Sequence, residues 1–239
     1  MKRLKKVLIG ILIVVVILFT SGFIVLNQNT YPAIYDDQTF LTESQLDGRL
    51  RIFEPKTDIK ANIIFYPGGL VKRDAYAYFA YLLAEEGFRV FLVGMPLNLA
   101  ILDIHAAKRI PTDYPSDLNW YVGGHSLGGA AASLFAAKHQ DLIEGIFFLG
   151  SYPANGADLS NVDIKSLSII ASQDLIINLD NFQDTKKLLP DHTLYETIEG
   201  GNHSYFGYYG EQKGDGIATI TREKQHELAI ISIISWINA

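Results

Sequence analysis

The chain has 239 residues, of which 49% are hydrophobic and 19% are charged, and its formal net charge at pH 7 is −6. This length and composition suit one sizeable domain with a full hydrophobic core. The acidity argues against a nucleic-acid binder, which would normally carry a basic face. The absence of cysteine excludes disulfides, a thiolate nucleophile and cysteine-based metal sites.

The N-terminus combines a short basic tail with a long uncharged run. Four basic residues lie within residues 1–6, and residues 7–26 carry no charge. As a helix, that run would be about 30 Å long, enough for the hydrocarbon core of a bilayer. The positive-inside rule then predicts a cytoplasmic tail (1–6), a single-pass transmembrane anchor in the cell membrane (7–26) and an extracytoplasmic catalytic domain. The alternative is a signal peptide cleaved near residues 20–22, which would make the protein secreted.

Beyond this run, residues 27–47 are polar and irregular, and they predict a tether into a domain at 48–239. In that domain, apolar runs typical of strands alternate with segments typical of helices. This alternation predicts a mostly parallel central sheet with helices on both faces. The predicted strands are 49–53, 62–66, 88–93, 119–122, 143–149, 167–171 and 193–198. The predicted helices are 74–86, 99–108, 130–138, 179–189 and 221–237.

The sequence Gly-His-Ser-Leu-Gly at 124–128 lies between a predicted strand and a predicted helix. This pattern predicts a nucleophile elbow, in which Ser126 stands at the apex of a sharp strand-to-helix turn. Glycine is expected at 124 and 128 because side chains there would clash with the neighbouring strand and helix. Ser126 is therefore the predicted nucleophile.

A serine hydroxyl needs a base that removes its proton, and the base needs a carboxylate that fixes its tautomer. Among six histidines, only His203 lies in a glycine-rich loop directly after the last predicted strand. Asp174 follows the predicted strand 167–171, in the order nucleophile, acid, base. We predict His203 as the base and Asp174 as its partner. A solvent-exposed loop histidine and a helix N-cap are the respective alternatives.

Two backbone N–H groups are expected to stabilise the oxyanion of the tetrahedral intermediate. The first is that of Leu127, at the start of the helix after the elbow. The second comes from the loop after strand 62–66, where two glycines let the backbone turn its amides inward. We favour Gly69 over Leu70, with an ordinary turn as the alternative. No metal or cofactor is predicted, because no group of His, Asp and Glu has ligand spacing.

Three sequences carry a resemblance to a known family: Tyr-Pro-Gly-Gly at 66–69, Gly-His-Ser-Leu-Gly-Gly at 124–129 and Gly-Gly-Asn-His at 200–203. Over residues 48–239 the chain resembles the α/β-hydrolase superfamily, and more closely small bacterial members related to the dienelactone-hydrolase group. The resemblance implies an α/β-hydrolase fold. The connection 151–165 is too short for a helical cap domain, so an open, lid-poor site is expected. Serine stands where dienelactone hydrolases use cysteine, and Pro67 stands where many esterases have histidine, which puts dienelactone hydrolysis itself in doubt.

These observations predict a membrane-anchored extracytoplasmic serine hydrolase, with carboxylic-ester hydrolysis as its expected activity. It would cleave an ester, thioester or amide of a small-molecule or cell-surface acyl substrate through an acyl-enzyme. One alternative is a surface acyltransferase that uses the same residues and an alcohol acceptor. Another is a non-catalytic surface binding protein built on the same fold.

Overall fold

The computed structural model describes the backbone of residues 2–239; within the first 30 residues it describes the side chains of residues 8, 11, 12, 14–18, 20–22 and 24–30. The chain divides into two compact units, with the boundary between Thr30 and Tyr31. The first unit contains one helix, α1 (Lys2–Gln28). The second unit contains all the strands and the other helices.

The prediction of a transmembrane helix over residues 7–26 is contradicted. Among the described residues, no helix is both long enough and apolar enough to cross a bilayer. A span needs about 20 consecutive, mostly apolar residues. The predicted cytoplasmic tail at 1–6 has no described side chains.

Strands and helices alternate along the second unit, as the sequence predicts. The strands are β1 (Ser44–Asp47), β2 (Leu50–Phe53), β3 (Ala61–Tyr66), β4 (Phe88–Val93), β5 (Trp120–His125), β6 (Gly145–Leu149), β7 (Lys165–Ala171) and β8 (Leu194–Ile198). The helices are α2 (Ala77–Glu85), α3 (Ile110–Asp113), α4 (Leu127–Lys138), α5 (Leu179–Thr185) and α6 (Arg222–Asn238).

The strands form one eight-stranded sheet in the order β1-β2-β4-β3-β5-β6-β7-β8. The pairs β1–β2 and β2–β4 are antiparallel, and every other pair is parallel. Every residue of β3 and β5 is buried, because apolar layers cover both faces of the sheet centre. One layer contains Phe79 of α2 and Trp236 of α6, and the other contains Phe135 of α4. The predicted mostly parallel sheet between helices is confirmed.

Residues 31–47 are part of the domain rather than a tether. The backbone of Tyr31 accepts a hydrogen bond from Lys72 and donates one to the oxygen of Leu70. Phe40 is buried in the core, and β1 adds an antiparallel edge strand to β2. The aromatic side chains of this segment that pack against the core do not recur with the spacing of a strand or of a helix. For this reason the sequence pattern alone suggested a tether.

The predicted helix at 99–108 is replaced by short 3-10 turns at Pro96–Asn98, Ala100–Asp103 and Ala106–Arg109, which lead into α3. Leu97 and Asn98, directly before the predicted helix, adopt left-handed backbone with φ of 51° and 55°, so no regular helix passes through them. In the connection between β6 and β7, all of which is described, there is no helix or strand. The expected absence of a helical cap at this point is therefore observed.

The parallel strands all end at the same edge of the sheet, and the loops that follow them meet there. These loops carry the residues that the sequence singles out. They are Gly69 after β3, Ser126 after β5, Asp174 after β7 and His203 after β8.

Candidate active site

Ser126 occupies a one-residue connection between β5 and α4. Its backbone has φ 52° and ψ −126°, which is costly for a residue with a side chain and is typical of strained functional positions. A Cβ on Gly124 would lie 2.5 Å from the carbonyl carbon of Gly128, and a Cβ on Gly128 would lie 2.2 Å from the backbone oxygen of Tyr66. The two glycines are therefore required by the close approach of α4 to the sheet, as the elbow pattern predicts.

Asp174 and His203 are brought together from separate loops. Nδ1 of His203 lies 2.7 Å from Oδ2 of Asp174, and both side chains are almost wholly buried. The other carboxylate oxygen accepts hydrogen bonds of 2.9 Å from the N–H groups of Ile176 and Ile177. Because an ionised carboxylate can only accept, the ring proton of His203 lies on Nδ1. Nε2 then presents a lone pair, which is the arrangement that a general base needs.

His203 and Ser126 line the same cavity. Nε2 of His203 is buried and has no hydrogen-bond partner among the described residues, and no hydrogen bond joins it to Ser126. In free enzymes such contacts are commonly long and shorten when substrate binds. The three predicted residues are therefore grouped at one site. The hydrogen bond between Asp174 and His203 is formed, and the one between His203 and Ser126 is not.

Gly150, directly after β6, is a site residue that the sequence interpretation missed. Its φ is 49°, and a Cβ there would lie 3.1 Å from both Oδ2 of Asp174 and Nδ1 of His203. Only glycine combines this left-handed backbone with room for that contact. The position of a glycine at the end of a buried strand was the available signal.

The predicted oxyanion donors, Gly69 and Leu127, are neighbours. A Cβ on Gly69 would approach Cδ2 of Leu127 to 3.0 Å. Leu127 is the first residue of α4, so its N–H has no acceptor within the helix. The N–H of Leu70 is occupied by the carbonyl oxygen of Asn98 at 2.8 Å, whereas no acceptor is found for the N–H of Gly69 in the described part of the chain. This geometry favours Gly69 over Leu70.

The loop after β3, residues 67–70, is held in place by a buried hydrogen-bond chain that the sequence did not indicate. The N–H of Gly68 donates to the hydroxyl of Tyr76 at 3.0 Å, and that hydroxyl lies 2.8 Å from Nδ1 of His125. Burial, with the nearby His203 as the second cause, lowers the pKa of His125 well below its ordinary value of 6.5. The Tyr76 hydroxyl has no other acceptor among the described residues, so we assign Nδ1 of the neutral ring as the acceptor of its proton.

His125 points away from Ser126, as expected, and packs against the candidate base. The ring centroids of His125 and His203 are 4.4 Å apart. Tyr76 and His125 thus connect the loop after β3 to the strand that carries the serine and to the ring of His203.

The loop that carries His203 is fixed by side chains from outside it. Gln225 of α6 accepts from the N–H of Asn202 at 3.0 Å and donates to the carbonyl oxygen of Asn202 at 2.8 Å. The carboxylate of Asp215 accepts from the N–H groups of His203 and Ser204. These contacts leave the His203 backbone little freedom to move.

The cavity next to Ser126 has a volume of about 270 Å³. Leu127 and Ala130 of α4 form one wall, and Ile176 and Ile177 form another. A larger cavity of about 540 Å³ lies between α2 and α6, but none of the predicted site residues lines it. The smaller cavity is therefore the candidate active site, because Ser126 and His203 line it.

A sequence model of the alpha/beta hydrolase family matches residues 62–227, well over half of the chain. This chain belongs to the alpha/beta hydrolase family. The match spans Ser126, Asp174 and His203, and it confirms the resemblance seen in the sequence. Family membership supports a hydrolase.

Solved structures with the same fold agree with the family assignment. Dienelactone hydrolase from Anabaena variabilis ATCC 29413 is 19% identical, with a TM-score of 0.59 over 80% of this chain and 95% of that chain. Est1E from Butyrivibrio proteoclasticus is 15% identical, with a TM-score of 0.59 over 82% and 98%. A soluble variant of monoglyceride lipase from Saccharomyces cerevisiae is 11% identical, with a TM-score of 0.62 over 85% and 98%. Identities this low establish a shared fold only. No match was found among curated proteins.

Metal-binding geometry is absent from the described part of this alpha/beta hydrolase. No group of three or more His, Cys, Asp or Glu side chains there could hold a metal ion. The prediction that the chemistry needs no metal or cofactor stays a prediction.

Proposed function

We propose that this alpha/beta hydrolase is a serine hydrolase that cleaves a carboxylic ester, or a related thioester or amide, through an acyl-enzyme. The observation that carries the proposal is the 2.7 Å contact between Asp174 and Nδ1 of His203, which leaves Nε2 as an acceptor in the cavity that Ser126 lines. An oriented imidazole beside a partly exposed serine on a strained turn is the arrangement that activates a hydroxyl.

In the proposed reaction, Nε2 of His203 takes the proton of Ser126 as Oγ attacks the substrate carbonyl carbon. The N–H groups of Gly69 and Leu127 stabilise the oxyanion of the tetrahedral intermediate. Nε2 then donates its proton to the leaving group, and the carbonyl carbon remains bonded to Oγ. Water then attacks the carbonyl carbon as the same nitrogen takes its proton. That proton passes to Oγ as the C–Oγ bond breaks, which releases the acid and restores the serine. Asp174 holds the ring and stabilises its positive charge in both half-reactions.

Hydrolysis of p-nitrophenyl acetate by wild type and site variants tests this proposal. Ser126→Ala, His203→Gln and Asp174→Asn should each lower kcat by about 10³-fold or more, because each removes one function of a unit. Ser160→Ala changes an exposed serine outside the cavity and serves as the control. Hydrolysis that survives Ser126→Ala contradicts the proposal. Absence of hydrolysis in all proteins, wild type included, favours a binding protein.

The same acyl-enzyme would serve an acyltransferase, so product analysis in the presence of an alcohol acceptor is part of the test. Release of free acid at an unchanged rate supports hydrolysis. Transfer of most acyl groups to the alcohol at low acceptor concentration would assign the chain to acyl transfer instead.

For location, we propose that the catalytic domain acts outside the cytoplasm. The support is the pattern of basic residues followed by the uncharged run 7–26, which also fits a secretory signal segment. Fusion of residues 1–30 to a reporter enzyme that is active only after export tests this. An active reporter is expected, and a reporter that stays inactive although it is produced contradicts the proposal.

A further inference from the structure

We infer that the cavity at Ser126 selects an uncharged, largely apolar acyl group of about eight carbons or fewer and rejects acyl groups that carry a carboxylate. The inference rests on the proposed serine hydrolase function and names the substrate class of that same site. It follows from the cavity's size, from the chemistry of its walls and from how those walls are held.

The size of the cavity limits the acyl chain. Its volume of about 270 Å³ lies just below the range of about 300–1,000 Å³ usual for drug-sized ligands. A water molecule occupies about 30 Å³ in the liquid, so the cavity has room for about nine groups of that size. Medium-length chains fit, and a chain of about twelve carbons would extend into solvent.

The walls beside the serine are mainly apolar, and their polar side chains, besides His203, are those of Ser151, Tyr152 and Asn178. Leu127 and Ala130 lie one turn apart on α4, and Ile176 and Ile177 face the cavity from the loop after β7. After the leaving group departs, the acyl group is bonded to Oγ of Ser126 and therefore lies against these walls. Each methylene that enters contributes about 0.8 kcal/mol of burial, so affinity for neutral chains should increase with length until the space is full.

The isoleucine wall is rigid because it is tied to the catalytic carboxylate. The N–H groups of Ile176 and Ile177 both donate to Oδ1 of Asp174 at 2.9 Å. These bonds involve the backbone only, so a different side chain at 176 leaves them in place. Ile176 is therefore a position where the chemistry of the wall can be changed with little effect on Asp174.

Among the residues that the structure describes, no lysine or arginine lines this cavity. The one titratable nitrogen in its walls is that of His203, whose Nδ1 is engaged by Asp174. A substrate carboxylate placed here would lose water without gaining a cation, and it would lie near the negative charge of Asp174. An unpaired buried charge is strongly disfavoured. Neutral acyl groups meet no such penalty.

Competing p-nitrophenyl esters test the inference. We expect kcat/KM to increase from acetate to octanoate and to increase no further at dodecanoate, whose last carbons lie in solvent. The hemisuccinate and the isocaproate have acyl groups of nearly the same shape, but only the hemisuccinate carries a carboxylate. We expect about 100-fold or greater preference for isocaproate. Equal kcat/KM for these two esters, or a further increase at dodecanoate, overturns the inference.

A variant that adds a cation to the cavity wall, compared with a control variant that adds it elsewhere, provides a second test. Ile176→Arg places a guanidinium in the cavity wall and should reduce the preference for isocaproate over hemisuccinate by about tenfold or more. Ile217→Arg adds the same charge at an 88% exposed side chain outside the cavity and should leave the preference unchanged. An unchanged preference in Ile176→Arg, or an equal change in both variants, refutes the assignment of this cavity to the acyl group.

Failure of the substrate inference can be distinguished from failure of the proposed function. If the wild type hydrolyses esters without discriminating by charge or length, and Ser126→Ala is inactive, only the substrate inference is refuted. If the wild type hydrolyses no ester, both the substrate inference and the proposed function are refuted. A wild type that cleaves esters with the expected length and charge preferences supports both.

Discussion

Tyr76 joins the loop after β3 to the strand that carries Ser126, and the change Tyr76→Phe removes only its hydroxyl oxygen. In the wild type this oxygen accepts the N–H of Gly68 and donates to Nδ1 of His125. Tyr76 is completely buried, so no water replaces the lost partner at either group. The phenylalanine ring keeps the packing against Phe65, whose ring centroid is 5.1 Å away.

The magnitude follows from two buried polar groups that lose their partner. Each unsatisfied group costs about 1–3 kcal/mol, so Tyr76→Phe should lower the free energy of unfolding by about 2–6 kcal/mol. Gly69, next to Gly68, would also be held less firmly. Loss of one oxyanion donor costs about 10²–10³ in kcat, and partial displacement should cost about 10–100-fold, with a smaller change in KM.

Urea unfolding followed by tryptophan fluorescence measures the first effect, and ester hydrolysis measures the second. Tyr78→Phe is the matched control, because Tyr78 lies two positions further along the chain, in α2, and its hydroxyl makes no hydrogen bond in the described part of the chain. The control should change the free energy of unfolding by less than about 0.5 kcal/mol. If Tyr76→Phe matches the control in both stability and kcat, the hydrogen-bond chain does not position the loop.

Three further outcomes are expected. Gly128→Ala should destabilise the fold by about 3 kcal/mol or more, because its Cβ would lie 2.2 Å from a backbone oxygen of β3. The control Gly156→Ala should be tolerated, because its Cβ would meet nothing closer than 3.5 Å. Equal melting temperatures for the two variants would contradict this prediction. Gln225→Ala should lower kcat about tenfold with less effect on KM, because the His203 loop loses two hydrogen bonds; steady-state kinetics that match wild type would refute that role. Burial lowers the pKa of His226 to about 3, from 6.5 in the unfolded chain, so the unfolded state binds the proton first as pH falls. As pH falls from 6.5 to about 3, the free energy of unfolding should decrease by up to about 1.4 kcal/mol per pH unit. Urea unfolding of His226→Leu should show a smaller decrease over the same range. Identical pH profiles for this variant and the wild type would contradict the lowered pKa of His226.

The part of the site that lies in short local patterns could be predicted from the sequence. The elbow at Ser126 is encoded by glycines within two residues of it, and Asp174 and His203 each lie in the loop after a predicted strand. Because parallel strands end at one edge of a sheet, the chain order already predicts that these loops meet. The preference for Gly69 over Leu70 agrees with the hydrogen bond that occupies the N–H of Leu70.

The supporting contacts could not be predicted, because they join residues that are far apart in the sequence. Tyr76 and His125 are 49 positions apart, and Gln225 lies 23 positions from Asn202. Nothing in the local pattern around Tyr76 or Gln225 marks them as different from other residues of a buried helix face. Residues 31–47 were misjudged for a related reason, since the burial of single aromatic side chains follows no period.

The central claim is that Asp174 and His203 make Ser126 a nucleophile, and covalent labelling with a fluorophosphonate probe tests it most directly. Peptide mass spectrometry should locate the adduct at Ser126 in the wild type. Labelling should be lost in Ser126→Ala and should slow by about 10³-fold or more in His203→Gln. An adduct on another serine, or labelling of Ser126 that proceeds equally fast without His203, would contradict the account.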